Sequence, residues 1–181
     1  MAVEKHHDVV IIGGGPAGVS AALECYDIRL DVVLLEAGPR LGGQLVEVPN
    51  SIRNVAAGRF ANGDALRNAL QESSAVLADR VRVSHPAVSA NLDERWVEAN
   101  GQRYHGDALL VTSGSTRQQL PMAVDGAFGG DITYQVESQP ERFVGRSVAV
   151  IGGGDSATLD ALELARTGST VKLVHRSNTL T

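Results

Sequence analysis

The amino-acid sequence predicts an α/β fold in which short parallel strands alternate with helices. Residues 8–12 and 31–36 are short apolar runs rich in β-branched side chains, which is typical of strands buried on both faces of a parallel sheet. The first run ends in three glycines and leads into residues 16–26, a helical pattern rich in small residues. The same order of strand, glycine turn, helix and strand returns at residues 147–175. We therefore expect two βαβ units of about 30 residues each.

Composition places the chain among ordinary globular proteins. It has 181 residues, of which 43% are hydrophobic, and its 16 basic and 21 acidic side chains give a net charge of −5. This balance argues against a nucleic-acid-binding surface. Glycines and a proline interrupt the longest apolar stretch, residues 9–23, and residues 1–8 lack the apolar region of a signal peptide. The sequence therefore predicts a cytoplasmic protein without a nucleic-acid or membrane partner.

Between the two βαβ patterns, the sequence predicts a loop, a helix and several short strands. Residues 41–58 show no periodicity and are expected to form an ordered loop, whereas residues 64–77 have the stripe of an amphipathic helix. Asn100 and Gly101 are the strongest hairpin signal in the chain. Short strands are expected at residues 81–83, 88–90, 96–99, 102–105 and 109–111.

These elements suggest two domains joined by a linker. Residues 1–115 are predicted to form the first domain, the polar residues 116–145 the linker, and residues 146–181 the beginning of the second domain. The second pattern has only two strands and one helix, whereas parallel sheets usually have about four to six strands. We therefore expect the chain to be a truncated piece of a longer protein, and the alternative is a natural short form.

The first glycine turn has the spacing of a dinucleotide-binding fingerprint. Gly13 permits a tight turn after the strand, Gly15 lets the backbone approach a pyrophosphate, and Gly18 lets the helix pack closely on the strand. The helix N-terminus offers free N–H groups to the phosphates. Glu36 ends the second strand, where an acid can bind ribose hydroxyls. The alternative is a glycine-rich turn without a ligand. The helix start adds two candidate cofactor-binding residues, Pro16 and Ala17.

The second fingerprint differs from the first at the position of the acid. Where a ribose-binding acid is expected, the sequence has His175 followed by Arg176. A carboxylate there would repel a 2′-phosphate, whereas arginine can pair with one, so this copy favours NADPH over NADH. Alternatively, these two residues are simply polar residues at a strand end. The other candidates here are Gly152, Gly154, Asp155, Ser156 and Ala157.

Taken together, these motifs resemble the thioredoxin-reductase-like flavoproteins, in particular the ferredoxin (flavodoxin)–NADP reductases of that fold. The resemblance implies a Rossmann-like FAD-binding domain with a β-meander, whose C-terminal segment is missing here. An incomplete second Rossmann-like domain for NADP would follow. It also implies additional FAD-binding residues beside the flavin, around the adenine and at the end of the last strand of the first domain. These are Ala37, Gly43, Gln44, Leu45, Asn54, Val88, Ser113 and Gly114.

The choice of subfamily rests on cysteine. Thioredoxin reductases carry a Cys-x-x-Cys pair before the second nucleotide motif, but residues 132–143 contain no cysteine. Cys25, the only cysteine, is expected to be a packing or surface residue. The loop at residues 46–53 also lacks a tyrosine that could stack on the flavin, which leaves the electron acceptor open. We expect a small electron-transfer protein such as ferredoxin or flavodoxin.

The cofactors would perform the redox chemistry, so we assign no catalytic side chain and no metal ligand. Two alternatives remain open: a disulfide reductase whose cysteines lie on a partner, and a catalytically inactive FAD-binding module. The resemblance also implies a possible homodimer. Three arginines, Arg53, Arg59 and Arg67, form either a basic strip for an acidic protein partner or ordinary solvated charge.

Overall fold

The structure is a computed structural model, and it describes residues 5–56, 58–116, 132–134, 136 and 139–177. The chain divides into two compact units, Met1–Gln118 and Gln119–Thr181. Each unit contains one of the two βαβ patterns and has its own apolar core.

The first unit begins with the predicted βαβ pattern. Strand β1 (Lys5–Ile12) leads through the glycines into helix α1 (Pro16–Asp27), and strand β2 (Val32–Leu35) lies parallel to β1. β1 begins earlier than predicted because residues 5–7 pair with a later strand of the same sheet. The strand, turn, helix and strand order is confirmed.

Residues 41–58 were expected to form a loop, and this expectation is wrong for most of them. A 3₁₀ helix covers Gly43–Glu47, and strands β3 (Ile52–Val55) and β4 (Gly58–Phe60) form an antiparallel hairpin. A β-bulge interrupts this hairpin, so its sequence lacks the strict alternation by which a strand is recognised.

The amphipathic helix is shorter than predicted. Helix α2 covers Gly63–Ser73, and the chain continues as a 3₁₀ helix over Ser74–Arg80. The hydroxyls of Ser73 and Ser74 donate to backbone carbonyls three or four residues back. Such bonds compete with regular helical pairing, and the α-helix ends where they occur.

A six-stranded sheet forms the centre of the first unit, in the order β5–β2–β1–β8–β7–β6. β1 is parallel to both β2 and β8, whereas β6, β7 and β8 form an antiparallel meander. The predicted hairpin is confirmed: Asn100 and Gly101 have φ values of 49° and 72°, as a two-residue turn between strands requires. The remaining strands are β5 (Val81–Arg82), β6 (Ala87–Asn91), β7 (Trp96–Ala99) and β8 (Gln102–Val111).

Both faces of β1 are covered. Ile11 packs with Val19 of α1 and with Leu34, whereas Val10 faces the opposite side and packs with Val97 of the meander. Successive side chains of a strand point to opposite faces, so a doubly covered strand is apolar throughout. The carboxyl ends of the parallel strands β1, β2 and β8 meet at one edge, where the first glycine turn lies.

The second unit has a smaller core. Strands β9 (Ser147–Ile151) and β10 (Thr170–Val174) are parallel and are joined by helix α3 (Asp155–Arg166), which Gly168 follows with a φ of 92°. Leu164 of α3 is fully buried against β9 and the preceding segment. Val136 and Phe143 belong to this core, so part of the segment 116–145 packs with the second unit.

Candidate functional site

The first glycine turn packs closely between α1 and the end of β8. Gly13 has a φ of 105°, and a Cβ atom there would lie 2.5 Å from the carbonyl oxygen of Thr112, so this position requires glycine. A Cβ atom on Gly18 would overlap the carbonyl oxygen of Gly13. The Thr112 hydroxyl donates to the carbonyls of Ile12 and Gly13, at 3.0 and 2.9 Å. The turn is therefore fixed by close packing against α1 and by hydrogen bonds to the end of β8.

Glu36 holds the middle of this turn. Its Oε2 accepts the N–H of Gly14 at 2.7 Å, and its Oε1 accepts the N–H of Gly38 at 2.6 Å. The carbonyl of Gly14 in turn accepts the N–H of Gly42 at 2.8 Å. Glu36 is only 9% exposed. Since a carboxylate has about four acceptor positions, these two bonds leave capacity for a ligand hydroxyl.

A cavity of about 470 Å³ lies at the turn, within the usual range for ligand sites. Helix α1 has no side-chain cap and no acid in its first turn, so its N-terminal N–H groups are available to an anion. Among the described residues, apart from the chain neighbours of Gly15, no atom lies within 4 Å of the position that a Cβ atom on Gly15 would take. The predicted residues that line the cavity are Gly13, Gly15, Pro16, Ala17, Glu36, Ala37, Gly43, Gln44, Ser113 and Gly114.

The remaining predicted FAD residues lie outside the lining of this cavity. Gly18 lies behind the turn, and Leu45 is half-buried in its 3₁₀ helix. Asn54 is exposed on the β3–β4 hairpin, and Val88 on β6 is 68% exposed. The cavity is lined by Pro86 and Ala87, directly before Val88.

Sequence reasoning missed several residues that contribute to the cavity. Gly14 occupies an unconstrained position of the fingerprint, and Thr112 precedes the strand-end residues that were predicted. The recurring glycine pair could have indicated Gly14, but nothing in the local sequence indicates the segment before β6. The complete set of missed lining residues is Ile12, Gly14, Leu35, Pro86, Ala87, Thr112 and Ser115.

The second glycine turn has a similar backbone. Gly152 has a φ of 143°, and its N–H donates to the carbonyl of Val174 at 2.9 Å. Gly154 precedes α3, which again has no side-chain cap. In the part of the chain that the structure describes, no atom other than those of its chain neighbours lies within 4 Å of the position of a Cβ atom on Gly154. The predicted Asp155 and Ser156 are exposed at the start of the helix, and Ala157 is half-buried behind the turn.

His175 takes the place in the second turn that Glu36 has in the first. A Cβ atom on Gly153 would overlap the imidazole ring of His175, so the ring lies directly against the turn. Its Nδ1 lies 3.3 Å from the Ser177 hydroxyl. Arg176 is exposed beside it. The predicted residues of this copy thus cluster at the carboxyl end of β9 and β10.

Two reactive side chains lie apart from the glycine turns. Cys25 lies on α1 and packs against the core of the first unit, and burial raises the pKa of its thiol. His7 lies near the opposite end of β1 from the glycine turn, and its Nδ1 is 2.9 Å from Oδ2 of Asp31. Burial lowers the pKa of His7. Within the described ranges, no group of acids, histidines or cysteine could hold a metal, and no helix has the length and hydrophobicity of a membrane span.

Known proteins resemble this chain over nearly its whole length. Thioredoxin reductase of Bacillus subtilis (strain 168) is 29% identical over 182 residues, covering 99% of this chain and 57% of the relative. Ferredoxin--NADP reductase 2 of Listeria innocua serovar 6a is 31% identical over 188 residues, covering 96% and 55%. The chain therefore spans a little more than half the length of these relatives, and both enzyme types suggested by the motifs occur among them.

Solved structures agree with this relationship. The crystal structure of Lactococcus lactis thioredoxin reductase in the FR conformation matches with a TM-score of 0.72 at 25% identity, covering 96% of this chain and 57% of the other. The likeness confirms the predicted α/β fold, and the relatives confirm the resemblance that the motifs suggested. Residues 7–181 match the family described as Pyridine nucleotide-disulphide oxidoreductase. The chain therefore belongs to the pyridine nucleotide-disulphide oxidoreductase family.

Proposed function

We propose that this chain forms the nucleotide-binding part of an NADPH-dependent flavoprotein oxidoreductase, with FAD bound by the first unit and NADPH by the second. The observation that supports this most is the cavity at the first glycine turn. It combines an uncapped helix N-terminus, a glycine with open space at its Cβ position and a buried acid at the end of the adjacent strand. These features meet the requirements of a dinucleotide in this type of sheet.

The residues of the cavity fit FAD. The N-terminus of α1 and the open side of Gly15 would bind the pyrophosphate, and Glu36 would accept hydrogen bonds from ribose hydroxyls. Gly43 and Gln44 line the same cavity and would flank the flavin end. Bound FAD would supply the ring that accepts and releases electrons, while these residues bind and orient it. Asn54 and Val88 remain proposed contacts on the hairpin and on β6.

The second turn fits NADPH better than NADH. Its helix N-terminus is also uncapped, and Gly154 is open on its ligand side. The position of Glu36 is taken by His175, and Arg176 is exposed next to it. A 2′-phosphate would therefore meet a cation instead of a carboxylate.

The acceptor that we propose is a small electron-transfer protein such as ferredoxin or flavodoxin. Cys25, the only cysteine of the chain, is packed against the core of the first unit. A dithiol relay needs two cysteines, so this chain cannot pass electrons through one of its own. The thioredoxin reductase relatives favour a second candidate, reduction of a disulfide that the partner brings.

Flavin binding is the first test of this proposal. The purified chain should show flavin absorbance, or should quench the fluorescence of added FAD with one site per chain. Glu36→Ala should weaken this binding at least about tenfold because the ribose contact and the turn are both lost. A chain that takes up no FAD would refute the proposal.

NADPH selectivity is the second test. Arg176→Glu should weaken binding of NADPH but not of NADH, and Lys172→Glu is a control with the same change of charge on the exposed side of β10. Equal effects of both substitutions on both nucleotides would contradict the role of Arg176.

Anaerobic addition of NADPH then tests activity. NADPH should bleach the flavin absorbance, and each candidate acceptor is then added to the reduced protein. Reoxidation of the flavin by ferredoxin or flavodoxin supports the proposed acceptor. Reoxidation only by a disulfide protein supports the second candidate. Bound flavin that NADPH does not reduce would indicate an inactive FAD-binding module.

A further inference from the structure

The β3–β4 hairpin of the first unit carries an isolated positive charge in an acidic protein. Between residues 48 and 63 the only charged side chains are Arg53 and Arg59, whereas the whole chain has a net charge of −5. Both arginines are exposed, and Arg53 lies on β3 while Arg59 lies on β4. The positive charge is therefore local and lies on the surface.

At the β-bulge, the two arginines lie on facing strands of the hairpin. Ile52 pairs with Phe60 and Val55 with Gly58, so two residues of β3, Arg53 and Asn54, oppose the single residue Arg59. A bulge of this kind redirects side chains, and here all three of these residues are exposed while Ile52 and Phe60 are half-buried. Like charges opposite one another destabilise a strand pair, so fold stability does not explain this arrangement.

A local contact orients one of the two arginines. The Nε of Arg53 donates to the Ser51 hydroxyl at 3.2 Å, which orients the side chain without neutralising its charge. Arg67, which the sequence grouped with them, does not join this face. Its side chain is 17% exposed, packs against Gly42 and pairs with Asp64 at 2.7 Å. The basic surface therefore consists of Arg53, Asn54 and Arg59, which we name the hairpin face.

We propose that the hairpin face docks an acidic protein partner. This inference rests on the proposed function, since the partner would be the electron acceptor. An acidic acceptor is repelled by the net charge of the chain, and a local pair of arginines would steer it to one place. Guanidinium groups pair with carboxylates through two parallel hydrogen bonds.

Binding of an acidic [2Fe–2S] ferredoxin, measured by calorimetry on the full chain, tests this proposal. The double variant Arg53→Glu/Arg59→Glu should weaken binding at least about tenfold, and the wild-type affinity should fall as salt is raised. The variant Arg53→Lys/Arg59→Lys keeps the charge but loses the paired hydrogen bonds of the guanidinium groups, so its affinity should lie between those of the wild type and the Glu variant. Circular dichroism and flavin uptake on each sample check that the first unit is folded.

The matched control is Arg29→Glu/Lys172→Glu, which changes the net charge by the same amount at two exposed cations outside the hairpin. Equal weakening by the control, or binding that salt does not affect, would overturn the proposal. So would a single-stranded oligonucleotide that binds as tightly as ferredoxin, because the face would then recognise phosphates. Failure to take up FAD, with ferredoxin binding intact, would refute the proposed function but not the docking surface.

Discussion

The two glycine turns of this chain share a backbone pattern but are held by different chemistry. In the first, Glu36 accepts the N–H groups of Gly14 and Gly38, and Thr112 fastens the turn to β8. In the second, the imidazole of His175 lies against Gly153, the residue that corresponds to Gly14. The first turn is thus fixed by hydrogen bonds to a buried acid and the second by packing of a half-exposed ring.

The two turns also differ at the residue of the following helix that packs against the turn. Gly18 cannot carry a Cβ atom without overlap with the carbonyl of Gly13, whereas the equivalent residue in the second copy is Ala157. A Cβ atom on Gly152 would lie 2.9 Å from that of Ala157, and the φ values of the two turns are 105° and 143°. The second turn is therefore less tightly packed than the first. The same glycine spacing in the two copies does not imply that they tolerate substitutions equally.

The largest difference should appear at this helix position. Gly18→Ala should lower the free energy of unfolding of the first unit by about 3 kcal/mol because it forces helix and turn apart. Ala157→Gly should cost only about 1 kcal/mol, the difference in helix propensity. Urea denaturation followed by circular dichroism measures both. Similar losses for the two variants would show that the turns are equally compressed.

Removing the acid should have the next largest effect. Glu36→Gln leaves one carbonyl acceptor and turns an NH₂ group towards a backbone N–H, so it should cost about 2 kcal/mol. His175→Gln should cost less than about 0.5 kcal/mol, since the ring accepts no backbone N–H among the described contacts. Thermal unfolding of the ligand-free chain separates this role from cofactor binding. An unchanged melting temperature for Glu36→Gln would contradict it.

Thr112 provides a smaller test of how the first turn is fastened. Thr112→Val keeps the shape of the side chain and loses both hydrogen bonds to the turn, so it should cost about 1 kcal/mol. The control Thr158→Val removes the hydroxyl that donates to Gly154 in the second turn. Denaturation curves compare the two, and a greater loss for Thr158→Val would reverse the expected order.

The smallest effect should be a dependence on pH. Burial lowers the pKa of His7 below 6.5, so the unfolded chain binds a proton more readily than the folded one. This contribution to stability is complete above pH 6.5 and is lost as pH falls towards the folded pKa. His7→Asn should flatten that dependence, as denaturation midpoints across this range would show.

Much of the fold could be predicted because its signals are local. The apolar runs of β1, β2, β9 and β10, the glycine spacings and the Asn100–Gly101 turn each occupy a few consecutive residues. The β3–β4 hairpin could not be predicted, since its bulge removes the alternation of apolar and polar residues by which a strand is recognised. The end of α2 likewise depends on serine hydroxyls that compete with helical bonds.

The sequence by itself determined the two βαβ units, the glycine positions and the replacement of the acid by His175, because backbone freedom and strand burial act over neighbouring residues. The tertiary structure alone decided that Glu36 binds the turn, that Thr112 and Pro86 reach the cavity, and that Arg53 and Arg59 share one face while Arg67 does not. These contacts join residues that are far apart in the chain. Local composition and spacing do not specify these contacts between residues that are distant in the chain.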